Sequence, residues 1–251
     1  MLITYTAILK TKKEIAPRVF HLQFSYPTDV NWSYQSGQYM IFHLPSLENE
    51  HPIRRLYSIA SAPSQKNSLD FIIEIVPGGI GSSYIENMNE GDSITMQGPA
   101  GIFTLKTSDR DIVMLATGTG IAPMYSMIQE ISNSKNQNPN IYLFWGLKYG
   151  KDIYLKQELD KLADENPNFQ YSICLSREEK TLDDARCLKG RVTKGLENLT
   201  TDDLRPTTDF DYYLCGSPHV VESLRSDLEA KCVPKNQVYF EKFSLSNING
   251  C

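Results

Sequence analysis

The chain has 251 residues, of which 41% are hydrophobic and 22% charged, with a net charge of −5. That composition suits one large or two ordinary globular domains and argues against a disordered chain. No apolar run reaches the length of a membrane span, and an acidic chain without a basic tract is a poor partner for nucleic acid.

The N-terminus, MLITYTAILKTKKE, carries its charge after its apolar part, which is not the order of a secretory signal. It alternates like a strand instead. Short alternating runs at Thr4–Leu9 and Val19–Phe24 are followed by strand patterns at Gly37–Leu44, Arg54–Ile59, Leu69–Val76 and Ser93–Gln97. A short helix is expected near Ser82. Six strands with little helix between them predict a closed antiparallel six-stranded β-barrel over residues 1–105. From residue 106 onward the period changes. Strand patterns at Ile112–Ala116, Ile141–Trp145, Phe169–Leu175, Tyr212–Cys215 and Val238–Lys242 alternate with helical ones near Pro123–Ser132, Tyr154–Asp164 and Pro218–Lys231. This alternation predicts an α/β domain, 106–251, built on a doubly wound parallel sheet. The last eight residues, SLSNINGC, read as a loose tail.

Five cysteines, Cys174, Cys187, Cys215, Cys232 and Cys251, are scattered and never form a C-x-x-C pair. That argues against a disulfide framework, a zinc site or an iron–sulfur cluster; no metal is expected, and a reducing cytoplasm is the default.

Residues 116–123, ATGTGIAP, end the first strand of the second half and open a helix. Glycines at 118 and 120 let the backbone turn and approach a phosphate, the helix start offers unpaired N–H groups to an anion, and Pro123 falls in the first turn, where it costs nothing. An ordinary glycine-rich βα turn explains the stretch equally well, since the full dinucleotide fingerprint is absent. In the first half, RLYS (Arg55, Leu56, Tyr57, Ser58) ends one strand and GGIGSSYI follows the next. Arg55 has the fork geometry for a pyrophosphate, and Gly81, Ser82 and Ser83 at a helix start offer N–H and hydroxyl groups to it. Tyr57 suits stacking on a flat ring. Singly, Arg55 reads as a surface ion pair and Tyr57 as a packing residue. Two phosphate cradles in domains of different architecture are harder to dismiss.

With these motifs the chain resembles the ferredoxin–NADP reductase family of flavoproteins. YQSGQYM, RLYS, GGIGSSYI, GDSITMQGPAGIF, GTGIAP, CGSP and YFEKF follow the family order along nearly the whole chain. The resemblance implies a barrel that binds FAD without a covalent link and a second domain that binds NADP, with NAD as the alternative. It implies hydride transfer between nicotinamide C4 and flavin N5, then single-electron exchange with a separate ferredoxin or other iron–sulfur protein or oxygenase component, by a monomer. On this reading Ser58, Cys215 and Glu241 are catalytic. Arg55, Leu56, Tyr57, Ser58, Gly81, Ser82 and Ser83 hold FAD, and Ile73 and Glu74 line it by strand contacts. Thr119 and Gly120 hold the dinucleotide phosphates, and Cys215 and Gly216 sit by the nicotinamide. Lys148, Ser176, Arg177 and Arg191 surround a 2′-phosphate, with Glu178 and Glu179 opposing, and Phe243 covers the flavin face or else caps the core of the nucleotide domain. Lys10, Lys12, Lys13 and Arg18 either face an acidic ferredoxin or form a solvated strand edge. Two other readings stay open: a free-flavin reductase, and a non-catalytic nucleotide-binding module or subunit of a redox complex.

Overall fold

The computed structural model describes residues 2–27, 33–45, 52–133, 139–179, 183–202 and 207–243. The proposed tail therefore lies outside the described residues, apart from the Phe243 that precedes it. Two compact units emerge. The first runs to Leu105 and takes in Tyr125–Glu130; the second holds Lys106–Met124 and Ile131–Ser244.

The first unit is built on β1 (Ile3–Ala16), β2 (Val19–Ser25), β3 (Tyr39–Leu44), β4 (Ile53–Ser58), β5 (Ser68–Glu74), α1 (Ile80–Asn87) and β6 (Ser93–Ala100). All its strand pairs are antiparallel, in the order β4-β3-β6-β1-β2-β5. An antiparallel bridge from Ile59 to Phe71 joins the outer strands, so the six-stranded sheet closes into the expected barrel. Strict alternation on β3 sends Met40, Phe42 and Leu44 inward. There Phe42 meets Phe24 and Phe71 edge-on at 5.6 and 5.0 Å, a geometry favoured by aromatic quadrupoles. β1 is longer than its apolar pattern: its charged half TKKEIA is held extended by pairing to β2 across a tight turn in which Arg18 takes φ 65°. Conversely, the strand expected from Gly37 starts at Tyr39. Gly37 sits at φ 93°, and a Cβ there would lie 1.9 Å from the Phe103 carbonyl oxygen.

The second unit contains β7 (Asp111–Thr117), α2 (Ile121–Ser132), β8 (Ile141–Leu147), α3 (Lys156–Glu165), β9 (Phe169–Leu175), β10 (Cys187–Lys189), α4 (Val192–Asp202), β11 (Phe210–Gly216), α5 (Pro218–Ala230) and β12 (Val238–Lys242). The central residues of α2 group with the first unit. Every strand pair is parallel, in the order β10-β9-β8-β7-β11-β12. The apolar runs of β7 and β11 lie in the middle, as expected for strands covered on both faces. β10 and α4 were not anticipated. α4 carries Gly195 in its interior because the Phe144 ring lies where a Cβ would go, 2.1 Å away.

Candidate functional site

In the barrel unit, β4 and the start of α1 come together. A Cβ on Gly81 would lie 2.8 Å from the Tyr57 hydroxyl and 3.0 Å from Cγ of Arg55, so the two motifs adjoin and a larger residue there would push these side chains aside. Arg55 is half-buried along its stem, and its Nη1 donates to the Arg54 carbonyl at 2.8 Å. Leu56 is exposed. Tyr57 meets Phe42 edge-on at 4.8 Å; burial pushes its phenol up to about 12, against the pull of the Arg55 charge. Ser58 is buried at the end of β4.

Helix α1 has no acidic residue in its first turn, which suits an anion. Ser82 Oγ accepts from the Val76 N–H at 2.8 Å, so its hydroxyl closes the loop into the helix while its proton stays available to a ligand. Ser83 is exposed. Ile73 points its side chain into the barrel core and leaves only backbone to line a ligand, whereas the Glu74 side chain is exposed.

Two cations hold α1 from its flanks, which sequence reasoning missed. Lys12 Nζ donates to the Glu86 and Met88 carbonyls at 2.6 and 2.9 Å, at the helix C-terminus. Arg18 donates through Nε and Nη2 to the Ile75 carbonyl at 3.0 and 2.7 Å, just before the loop that enters the helix. These two are thus committed within the chain. The segment after Ser58 is also fixed: Ser126 Oγ donates to the Ser61 carbonyl at 2.5 Å and Gln129 Nε2 to the Ala60 carbonyl at 2.9 Å.

In the α/β unit, the chain runs outward from β7 to β10 and then returns to the other side of β7 as β11 and β12. The reversal of strand order therefore falls between β7 and β11, and ligands of such sheets bind beyond the carboxyl ends at that point. Both expected glycine motifs sit there. Gly118–Gly120 form one 3-10 turn that runs directly into α2. Gly118 has φ 54°, and nothing lies within 4 Å of the place a Cβ would take. Gly120 is the reverse case, since a Cβ there would lie 2.5 Å from the Cys215 carbonyl oxygen. α2 has no acidic residue in its first turn. Open backbone, a helix start and absent carboxylates fit a dinucleotide phosphate.

Cys215 is 1% exposed and lies opposite Glu241 in the β11–β12 register. Burial, then the Glu241 charge, pushes its thiol well above the ordinary value, so it stays protonated. Gly216 is followed by Ser217 and by Pro218, which opens α5. Phe243 donates its N–H to the Gly216 carbonyl at 2.8 Å, and its side chain is half-buried.

Lys148, Ser176, Arg177 and Arg191 are exposed just beyond β8, β9 and β10. Backbone bonds from Ser176 N–H to Leu147 and from Arg177 N–H to Lys148 set Arg177 beside Lys148. Glu178 is turned away onto the Gly150 N–H at 2.8 Å. Below them, Lys156 and Arg186 bind Asp160, and Tyr171 donates to it at 2.5 Å. Among the described residues, no group of three His, Cys, Asp or Glu side chains is arranged to hold a metal, and no helix is long and apolar enough to cross a membrane.

Comparison with known proteins bears on both units. The family described as "Oxidoreductase FAD-binding domain" matches residues 6–105, and "Oxidoreductase NAD-binding domain" matches residues 114–226. The toluate 1,2-dioxygenase electron transfer component of Pseudomonas putida is 28% identical, over 96% of this chain and 68% of its own length. The 2-halobenzoate 1,2-dioxygenase electron transfer component of Burkholderia cepacia is 33% identical, over 89% of this chain and 63% of its own length. The chain thus spans about two thirds of the length of these curated relatives. The crystal structure of a ferredoxin NADP⁺ reductase from Neisseria gonorrhoeae with bound FAD and NADP superposes with a TM-score of 0.79 at 19% identity, covering 95% of this chain and 98% of the other.

Proposed function

We propose that the chain, in which an oxidoreductase FAD-binding domain is followed by an NAD-binding one, is a reductase of the ferredoxin–NADP reductase family that oxidises NAD(P)H and delivers the electrons singly to a separate iron–sulfur protein or oxygenase component. The observation that carries this reading is the pair of phosphate cradles, Arg55–Tyr57–Gly81 in one unit and Gly118–Gly120 beside Cys215 in the other. In the second, Gly120 approaches the Cys215 backbone so closely that a Cβ would overlap it. We set the domain boundary at Leu105/Lys106, where the FAD-binding match ends.

Bound FAD would supply a two-electron acceptor that releases electrons one at a time. The chain's own residues do the rest. Arg55 and the N–H groups of the first turn of α1 bind the flavin pyrophosphate, with Ser82 and Ser83 adding hydroxyl donors. Tyr57 and Leu56 flank the flavin, Ser58 offers a buried hydroxyl at the strand end, and the backbone of Ile73 and Glu74 lines it. Thr119 and Gly120 bind the dinucleotide pyrophosphate. Cys215, protonated, packs beside the nicotinamide with Gly216, and Glu241 orients the groups around it. Phe243 is tied by its backbone N–H to Gly216, beside the place proposed for the nicotinamide.

For the dinucleotide we propose NADPH over NADH, because Lys148, Arg177 and Arg191 gather at one edge while Glu178 is tied back. The partner reading rests on relatives described as electron transfer components of dioxygenases. A reducing cytoplasm suits the free thiols of Cys174, Cys187, Cys215 and Cys232. The test is anaerobic. Heat-released cofactor is identified by chromatography, the holoprotein is titrated with NADPH and NADH, and the reduced protein is offered a panel of ferredoxins and free flavins. FAD, bleaching by NADPH and oxidation by a ferredoxin are expected. No flavin, or oxidation by free flavins alone, overturns the proposal.

A further inference from the structure

Trp145 lies at the heart of the α/β unit, 0% exposed, on β8 opposite Ala116 of β7. Tyr154 meets its ring edge-on at 4.6 Å and holds its orientation. Its indole Nε1 donates to the Gly118 carbonyl at 3.0 Å. The same carbonyl accepts the Ile121 N–H that closes the 3-10 turn. Both lone pairs of that oxygen are therefore engaged.

The consequence follows from peptide geometry. The Gly118–Thr119 peptide is planar and trans, so its N–H points opposite to its C=O. Anchoring the carbonyl inward aims the Thr119 N–H outward. Gly118 is the residue least able to hold that peptide by itself. It is a glycine at φ 54° with nothing within 4 Å of its missing Cβ, so neither packing nor a side chain resists rotation. A rotated peptide would turn a carbonyl oxygen toward an anion and withdraw the N–H.

We infer that Trp145 is a positioning residue for dinucleotide binding: its indole N–H locks the Gly118–Thr119 peptide in the orientation that presents the Thr119 N–H to the pyrophosphate. This rests on the reading of the α/β unit as the NAD(P) site. Because the pyrophosphate is common to both dinucleotides, the lock serves NADPH and NADH equally. That separates it from Arg177, which concerns the 2′-phosphate alone.

The experiment replaces Trp145 with 3-benzothienylalanine, which keeps the two-ring shape and removes the donor, with Trp145→Phe as a second variant. Dissociation constants for NADP⁺ and NAD⁺, which carry the same pyrophosphates and leave the oxidised flavin unreduced, are measured by calorimetry on the FAD-loaded protein, alongside flavin content and thermal unfolding. Losing one buried neutral hydrogen bond weakens both dinucleotides by the same factor, roughly five- to tenfold, with flavin content unchanged. An analogue that unfolds with the wild type yet binds both dinucleotides as tightly overturns the inference alone. So does a loss confined to NADP⁺. A wild-type protein that binds neither dinucleotide overturns the inference together with the reading beneath it.

Discussion

Gly118 and Gly120 are one residue apart, yet alanine at each should act by a different route. At Gly120 the new Cβ would lie 2.5 Å from the Cys215 oxygen, 2.7 Å from its carbonyl carbon and 3.0 Å from the Gly216 nitrogen. All three are backbone atoms of the strand end, so no rotamer change relieves the overlap. Reaching ordinary contact at 3.4 Å requires the turn and the strand end to part by about 0.9 Å. Overpacking of this kind costs about 3 kcal/mol, which lowers Tm by roughly 6–12 °C for a chain of this size. At Gly118 nothing is struck, and the cost is that of φ 54° for a residue with a Cβ, about 1 kcal/mol or roughly 2–4 °C. The Gly118 methyl, however, fills the open space over the turn, and the Gly120 change shifts the N–H donors. Both should weaken NADPH by roughly tenfold or more. Calorimetric titration with NADP⁺, which leaves the flavin oxidised, and thermal unfolding of the two variants test this together. If Gly120→Ala melts with the wild type, or above Gly118→Ala, the close approach between turn and strand end is not what the geometry says.

Arg177→Ala should lower kcat/KM for NADPH about 10- to 100-fold, the worth of a charged hydrogen bond, and leave NADH unchanged; an unaltered ratio removes Arg177 from the 2′-phosphate site. Lys12→Met deletes two charge-assisted bonds to the last carbonyls of α1, and FAD should dissociate roughly tenfold more readily while NADPH affinity holds; equal FAD affinity would mean that the clasp does not support the helix. Burial raises Asp160, but hydrogen bonds from Lys156, Tyr171 and Arg186 outweigh it and bring its pKa from 3.8 down to about 2. A depressed folded value stabilises above the unfolded one, so this contribution is complete above pH 3.8 and disappears as the pH falls through about 2. Urea unfolding should accordingly separate Asp160→Asn from wild type at pH 6 and bring them together below pH 2. Phe243→Ala, at a half-buried position, should tighten NADP⁺ binding and lose less than the ~3–5 kcal/mol of a fully buried phenylalanine; a full core-sized loss with unchanged affinity would assign it to packing instead.

Local signals made much of the fold legible. Period-two runs such as Tyr39–Leu44 bury alternate residues, and the sequence alone announces them. Pro218 at the start of α5 and glycines at the β7–α2 turn mark helix starts through backbone rules that act within a few residues. α4 escaped because its sequence, VTKGLENLTTD, has a weak intrinsic case for helix; Gly195 is explained by the Phe144 ring, 51 positions earlier in the chain. β10 is three residues of ladder after a run with no pattern. The site divides the same way. Its glycines, Arg55 and Cys215 sit in short motifs, whereas Lys12 and Trp145 act on carbonyls 74 and 27 residues away. No neighbouring residue advertises such a contact.

The way each sheet ends also limits what the molecule can associate with. Where Ile59 bridges Phe71, the barrel's outermost strands meet each other, so little backbone is left to template another chain. The parallel sheet does have margins, but they are brief: three residues at Cys187–Lys189 and five at Val238–Lys242, each finishing on a lysine. At the second margin the exposed Phe240 lies under the Arg225 guanidinium, 4.1 Å from its ring centre, and within 5.4 Å of Lys242. Short, cationic margins discourage strand addition and fibril growth alike. An electron carrier of the kind proposed would then engage this protein through side chains, an association that ionic strength loosens.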